Sequence, residues 1–445
     1  MAVAVHLTAF AVCFALAAVP SPPSQSGDLP ADPVLRALID ESLAVRPEVA
    51  QAEATAKAER QRVPQAGAWP EPMLLLGVQN DSFTSWQVGK SETSFYQVML
   101  SQTVPWPGKL KMRAEGAELA ASQAERDAAR ARLSAETDVR RAWLGLVLAR
   151  DRLDLLARLE GVWQKAEGSA RSRYEVGEAA QADLLRAQLE LSRLRQRRWG
   201  LKSEEAQRLQ ELNRLRGHAL DEPIHTATHL ADLALPTLSS EDEAIGDASE
   251  RSPEWASARL GQTQAERSVA LARKSYFPDV TVGLSVMPRG GEFPPMWQVT
   301  LGAPLPVFAG WRQGPAIAEA EARAVSRQKA AEAVEQQLRL RVRQRRTALE
   351  ASLQALQRFR DGLLRQSEAT IESTLAQYEV GKVGLLAVLE ANAGFLADQE
   401  GYLLALAQVH ELALEAQEVS LGPVGSLGQA GAAATPPSGA GPSGM

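Results

Sequence analysis

The pattern of polar and apolar residues divides the chain into long helical segments and short alternating segments. Residues 110–172 and 314–376 are rich in Ala, Leu, Gln, Glu and Arg, which favour helices, and each is followed by a shorter helical segment. Four other segments alternate apolar with small or polar residues, as half-buried strands do. They lie at roughly residues 73–80, 94–104, 279–287 and 296–303. The pattern therefore predicts a mainly helical protein with two β-hairpins.

These elements occur twice, in the same order. The segment RPEVAQA at 46–52 matches SPEWASA at 252–258, and YEVG at 174–177 recurs at 378–381. The shift between matching segments is 206 residues in the first case and 204 in the second. Because the order is kept and the shift is nearly constant, the sequence indicates an internal duplication. Each copy has the plan helix, β-hairpin, long helix, helix.

Proline and capping residues define the limits of the two copies. Asp32 precedes Pro33 and Ser252 precedes Pro253, which is a typical start of a helix. Pro and Gly clusters end each hairpin. The predicted organisation is a first repeat at 33–216 with its hairpin at 73–104, a linker at 217–250, and a second repeat at 251–421 with its hairpin at 279–303.

The two ends of the chain differ in composition from the repeats. Residues 5–19 form an apolar run followed by small residues and prolines, which predicts a secretory signal peptide within residues 1–27. No Lys or Arg precedes the run, so a buried N-terminal helix is the alternative, and Cys13 leaves lipid attachment open. Residues 422–445 are rich in Gly, Ala, Pro and Ser and are predicted to be disordered.

Aromatic residues crowd the ends of the predicted strands. They are Trp69, Phe83, Trp86, Tyr96, Trp106, Tyr276, Phe277, Phe293, Trp297, Phe308 and Trp311. Trp and Tyr at strand ends are typical of the two interfaces of a membrane, although a soluble β-domain with core aromatics is the alternative. Four strands cannot close a barrel, and an open strand edge is not stable in lipid. Membrane strands would therefore require several chains to share one barrel.

Composition excludes several other classes of protein. The chain has 48 Lys and Arg against 54 Asp and Glu, and so lacks the basic surface expected of a nucleic-acid-binding protein. Its one cysteine, Cys13, excludes an internal disulfide framework and a cysteine metal cluster. The histidines are scattered, and only His225 and His229 share a loop, so no metal or cofactor site is predicted. Neither HExxH nor GxSxG occurs, and no enzymatic activity is predicted.

The ordered, duplicated set of motifs across residues 33–421 resembles the TolC family of outer-membrane efflux proteins. VPWPGKL at 104–110 and LPVFAGWRQG at 305–314 lie where that family places its transitions from hairpin to helix. Together with AERQRVPQAGAWPEP at 58–72, they most resemble the branch associated with heavy-metal cation efflux.

The resemblance implies a homotrimer with a 12-stranded outer-membrane β-barrel that continues as an α-helical barrel in the periplasm of a Gram-negative cell. It implies passive export of metal cations or small toxic molecules, in contact with outer-membrane lipid. The implied partners are a periplasmic adaptor protein and an inner-membrane pump of the RND type. The alternative from another class is a periplasmic coiled-coil adaptor or scaffold without a channel.

The resemblance also places the two YEVG segments at the periplasmic tip, as helix turns where the adaptor docks. The residues concerned are Tyr174, Gly177, Tyr378 and Gly381. A helix reversal commonly needs a residue with positive φ, which glycine supplies without strain. The two segments are therefore predicted to be turns and docking contacts.

The same comparison yields three candidates for the gate. Asp183 should face Tyr378, and a hydrogen bond between them would form a latch of about 1–3 kcal/mol, weak enough to open. Glu390 is predicted to line the pore as an acidic ring. Val383 stands where the family's archetype has an arginine, so no arginine latch is expected. The alternative roles are a solvated acid for Asp183 and Glu390 and a packed ring for Tyr378.

Overall fold

The computed structural model of the chain describes residues 32–422, so the predicted signal peptide, Cys13 and residues 423–445 lie outside the described residues. The first repeat contains α1 (Pro33–Val45), α2 (Pro47–Gly67), β1 (Met73–Gln79), β2 (Phe95–Val104), α3 (Lys109–Glu175) and α4 (Gln181–Leu215). The second contains α5 (Glu241–Arg251), α6 (Pro253–Arg273), β3 (Val280–Met287), β4 (Met296–Gly302), α7 (Ala309–Arg358), α8 (Leu364–Glu379) and α9 (Leu385–Glu418). In residues 32–422, no helix has the length and apolar character that crossing a membrane requires.

The predicted helix starts are present and capped. The Asp32 carboxylate accepts a hydrogen bond from Val34 N at 2.9 Å, and Ser252 Oγ accepts one from Trp255 N at 3.2 Å. Residues 217–250 are more ordered than the predicted linker, because α5 begins there. Ser240 and Glu243 form a reciprocal capping box at its start, a signal that the sequence already contained.

The strands form one antiparallel sheet in the order β1–β2–β3–β4, close to the predicted positions. The two repeats join at its centre, where β2 pairs with β3 and Leu100 lies opposite Leu284. The outer edges of β1 and β4 pair with no other strand of residues 32–422. Each chain therefore supplies a sheet with two open edges.

The two faces of this sheet have opposite character. One face carries twelve exposed apolar residues: Leu74, Leu76, Val78, Tyr96, Val98, Leu100, Val282, Leu284, Val286, Trp297, Val299 and Leu301. The opposite face carries mainly Gly, Ser, Thr, Gln and Met. A soluble protein rarely exposes so large a contiguous apolar surface, which marks a lipid or protein contact.

The long helices of the two repeats are not equivalent. Helix α3 has 67 residues and is continuous, which corresponds to a length of about 100 Å. The second long segment begins at Ala309, earlier than predicted, so that Pro315 lies inside α7. A π-helical turn at Phe359–Leu363 then separates α7 from α8, where the sequence predicted one uninterrupted helix. Such a turn inserts a residue into the helical repeat and locally reorients the segment that follows.

The two largest of four hydrophobic clusters in residues 32–422 hold the helices together. One surrounds Trp143 on α3 and includes residues of α1, α4 and α9. The other surrounds Trp163, further along α3, and includes Leu191 of α4, Tyr378 of α8 and Val388 of α9. Both clusters combine residues of the two repeats. The second cluster fixes the relative position of the α3–α4 and α8–α9 hairpins, whose turns form the far end of the molecule.

Candidate functional site

The two YEVG turns, called the tip here, have the same backbone geometry. Gly177 and Gly381 have φ of +79° and +76°. After each, a 6→1 hydrogen bond closes the helix end: Glu178 N donates to Arg173 O at 2.8 Å, and Lys382 N donates to Gln377 O at 2.8 Å. This is the Schellman arrangement, which needs the left-handed conformation that glycine adopts without strain. Both glycines thus have the conformation that a helix reversal needs, while docking of an adaptor there stays a prediction.

The tyrosines of the two turns have different environments. Tyr174 is 42% exposed, whereas Tyr378 is 1% exposed and packs in the cluster around Trp163. Burial, together with the negative charge of Asp183, raises the pKa of Tyr378, while the positive charge of Arg173 opposes the shift. Tyr378 is therefore neutral and held between the two hairpins, and Tyr174 is available at the surface.

Arg173 joins the two turns. Its Nη1 donates a hydrogen bond to Tyr378 O at 2.7 Å, and its guanidinium carbon lies 5.3 Å from the centre of the Tyr378 ring. A Cβ built on Gly381 would lie 3.0 Å from Arg173 Nη2, so the arginine also packs against the second turn. The archetype's arginine position holds Val383, and a different arginine, Arg173, joins the two turns. The arginine comes from the first repeat, where the sequence comparison did not look for it.

The predicted hydrogen bond between Asp183 and Tyr378 is not formed. The Tyr378 hydroxyl is buried and has no hydrogen-bond partner within residues 32–422. The carboxylate of Asp183 lies near enough to affect the pKa of Tyr378, but its Oδ1 accepts from Arg186 Nη1 at 3.4 Å on its own helix. Glu390 is exposed on α9, and its role in a pore ring stays a prediction.

Exposed apolar side chains surround the tip. Val176 and Val380, the residues before the two glycines, are exposed, as are Leu185 and Leu386 on the helices that follow. The two turns offer equivalent positions because they have the same backbone geometry. The arrangement provides a repeated apolar contact surface next to the Arg173 contact.

Within residues 32–422, one group of side chains has the spacing to hold a metal ion. Ligand atoms of Asp151, Asp154 and His229 lie within 4.8 Å of one another. Asp151 is buried but already accepts hydrogen bonds from His229 Nδ1 at 2.6 Å and Leu230 N at 2.9 Å. The hydrogen bond from His229 to Asp151, with the negative charge of Asp151, raises the pKa of His229. The pair ties residues 229–232 to α3 and is a structural contact.

The aromatic residues form bands at both ends of the sheet. At the loop end Trp86 and Tyr96 lie 6.2 Å apart, and at the helix end Trp106 stacks on Phe277 at 5.0 Å between ring centres. An apolar sheet face between two aromatic bands is the arrangement of a strand that crosses a membrane.

A family model described as outer membrane efflux protein matches residues 38–218 and 244–416. The chain belongs to this family. This confirms the resemblance drawn from the duplicated motifs and gives efflux through the outer membrane as the general function. The chain is accordingly an outer-membrane protein with a role in efflux. No curated protein sequence matches the chain.

Solved structures of outer membrane efflux proteins have the same fold. VceC from Vibrio cholerae is 18% identical, with a TM-score of 0.72 over 87% of this chain and 96% of its own. The MtrE channel of Neisseria gonorrhoeae, described in its open state, is 18% identical, with a TM-score of 0.73 over 88% and 90%. CusC, described in terms of transmembrane channel formation, is 18% identical, with a TM-score of 0.71 over 87% and 92%. The mainly helical fold with a duplicated repeat is thereby confirmed.

Proposed function

We propose that this outer membrane efflux protein forms a homotrimer, in which three four-stranded sheets close one barrel in the outer membrane. The observation that carries the proposal is the sheet itself, which has an exposed apolar face and two open edges in a single chain. Open edges cannot face lipid, because their backbone groups would lack hydrogen bonds. Pairing β4 of one chain with β1 of the next removes every edge and turns the apolar face toward lipid.

The helices continue the barrel into the periplasm as a tube that ends at the tip. The duct is passive, so export is driven by an inner-membrane pump, which we propose is of the RND type, joined through a periplasmic adaptor. The apolar positions around Val176 and Val380 are the proposed docking surface for the adaptor. Because two equivalent turns occur per chain, a trimer presents six such positions.

The tip is also the proposed gate. Arg173 bonds to the backbone of Tyr378 and covers its ring, so the contact must break before the two hairpins separate. Tyr378 contributes its ring and backbone to this contact, whereas Asp183 acts through its charge. Glu390 is proposed to line the entrance as an acidic ring that attracts cations.

The cargo is proposed to be metal cations or small toxic molecules, on the basis of the motif resemblance at 58–72 and 104–110. Growth of a deletion strain in the presence of metal salts and of organic dyes distinguishes the two classes. Sensitivity to metal salts alone supports cation export, and sensitivity to dyes alone contradicts it.

The trimer is tested by the mass of the complex extracted from the outer membrane with detergent, measured by light scattering with the detergent contribution subtracted. A protein mass of three chains of 48.0 kDa, less the cleaved signal segment, is expected. A monomer in the soluble periplasmic fraction contradicts the shared barrel and favours a coiled-coil scaffold.

A further inference from the structure

The methionines of the chain are concentrated on one face of the sheet. Residues 32–422 contain five methionines, and four of them lie in strands: Met73, Met99, Met287 and Met296. The register places all four on the face opposite the apolar one, among Gly, Ser, Thr and Gln together with Leu75 and Phe95. The apolar face contains none. The strand methionines are therefore confined to the face on which most of the other residues are small or polar.

The four side chains form a regular series, called the methionine ladder here. Met73, the first residue of β1, lies opposite Ser101, and Met99 lies between Leu75 and Ser285 in the next layer. Met287 and Met296 face each other one layer further. Successive layers on one face of a sheet are about 7 Å apart, so the ladder rises by about 14 Å. It steps from β1 through β2 to the second hairpin.

The upper end of the ladder is a pair of thioethers. Directly opposed residues in antiparallel strands have Cβ atoms about 5 Å apart, so both sulfur atoms can reach one ion. Met287 is 8% exposed, so its side chain is shielded from water, while Met296 is more open. Below the pair, Met99 lies over Gly283, where an added Cβ would be 2.7 Å from Met99 Cε.

The chemistry of this face selects a particular class of ion. Strands β1 to β4 contain no Asp, Glu, His or Cys, so they offer no carboxylate, imidazole or thiolate ligand. Thioether sulfur is a soft ligand that favours Cu⁺ and related ions, whereas Zn²⁺ and Mg²⁺ favour the missing groups. Burial does not account for Met73 and Met296, because both are exposed on the face that lines the water-filled interior in the proposed trimer.

We propose that the methionine ladder binds soft monovalent cations, Cu⁺ or Ag⁺, and forms a series of weak sites along the inner wall of the barrel. The orientation of the ladder rests on the proposed trimer. Weak, repeated sites suit a duct, because an ion must both bind and leave. The ladder thus narrows the proposed metal cargo to thiophilic monovalent ions.

The test uses the mature trimer in detergent, in which removal of the predicted signal peptide also removes Cys13, so that no thiol competes. Ag⁺ is the probe, and its binding is measured by equilibrium dialysis. The double variant Met287→Leu/Met296→Leu should bind Ag⁺ about 10- to 100-fold more weakly at the ladder, since loss of metal-site groups has effects of at least this size. Met112→Leu, which changes the one described methionine outside the strands, is the matched control. Equal Ag⁺ binding by the double variant and the control overturns the proposal.

A second measurement needs no variant. Peroxide converts exposed methionine to its sulfoxide, and a bound ion shields the sulfur. Ag⁺ should slow oxidation of Met296 and leave Met112 unchanged, and equal rates with and without Ag⁺ overturn the proposal. The mass of the trimer is checked in the same samples. If the trimer is intact and Ag⁺ gives no protection, the proposed ion binding is wrong and the proposed trimer stands. If the protein is a monomer, the proposed trimer is wrong as well.

Discussion

The contact between Arg173 and Tyr378 leads to the sharpest prediction about the gate. Replacing Arg173 by Gln removes the charged hydrogen bond to Tyr378 O and the guanidinium over the ring. A hydrogen bond to a charged group contributes about 1.5–3 kcal/mol, and an exposed cation–π contact about 0.5–1 kcal/mol. Because the arginine is partly solvated and glutamine keeps some hydrogen bonding, we expect a net loss of about 2 kcal/mol per chain, or about 30-fold in the closed-to-open equilibrium.

The assay is single-channel conductance of the purified protein in planar bilayers. Arg173→Gln should open more often and conduct more than the wild type. Arg171→Gln is the matched control, because Arg171 is exposed and pairs with Glu167 on its own helix at 2.7 Å. If Arg173→Gln and Arg171→Gln conduct equally, Arg173 does not hold the gate.

The variant Tyr378→Phe distinguishes a gate held by Arg173 from a gate held by a hydrogen bond of the Tyr378 hydroxyl. The Tyr378 hydroxyl is buried without a hydrogen-bond partner in residues 32–422, and such a group destabilises the state that buries it by about 1–3 kcal/mol. Phenylalanine keeps the ring under the guanidinium and removes this cost. The variant should therefore conduct no more than the wild type, and increased conductance would restore the hydroxyl latch.

Three further predictions concern the turns, the core and the sheet. Gly381→Ala forces alanine to φ of +76°, which costs roughly 1–2 kcal/mol, and should speed hydrogen exchange at the tip, whereas Gly384→Ala should not. Burial lowers the pKa of His410 from 6.5 to about 4. The folded state therefore takes up a proton at His410 less readily than the unfolded state, so about 3 kcal/mol of the free energy of unfolding is lost as the pH falls from 6.5 toward 4. His410→Leu should reduce the fall in Tm over this range, and an unchanged fall excludes His410 as its source. Leu76→Arg on the apolar face should destabilise the folded barrel by about 2–4 kcal/mol and lower the yield of membrane trimer. Leu75→Arg on the polar face should be tolerated. Equal yields of the two variants would contradict the assigned faces.

The sequence predicted most of the architecture because the duplication can be read directly from repeated motifs and because turn residues act locally. The glycines of YEVG and the Pro residues at helix starts specify backbone conformations that neighbouring residues do not override. Alternation in the strands likewise follows from their period of two. The π-helical turn at Phe359–Leu363 was not predicted, since its one poor helix former, Gly362, is tolerated inside many helices.

The gate was predicted less well than the turns, because its contacts join residues about two hundred positions apart. Arg173 and Tyr378 are separated by 205 residues, and Arg173 contacts the backbone of its partner, which no sequence motif records. The hydroxyl of Tyr378 was expected to bond to Asp183, but in residues 32–422 it is buried without a hydrogen-bond partner.

The sequence by itself determined the duplicated order of helices and hairpins, the glycine turns and the alternation of each strand, because these depend on conformational preferences over a few residues. Tertiary structure decided the register that aligns the methionines in one ladder and the approach of Arg173 to the second turn. Both depend on how the two repeats pack against each other, and packing energies belong to pairs of distant surfaces rather than to any local segment.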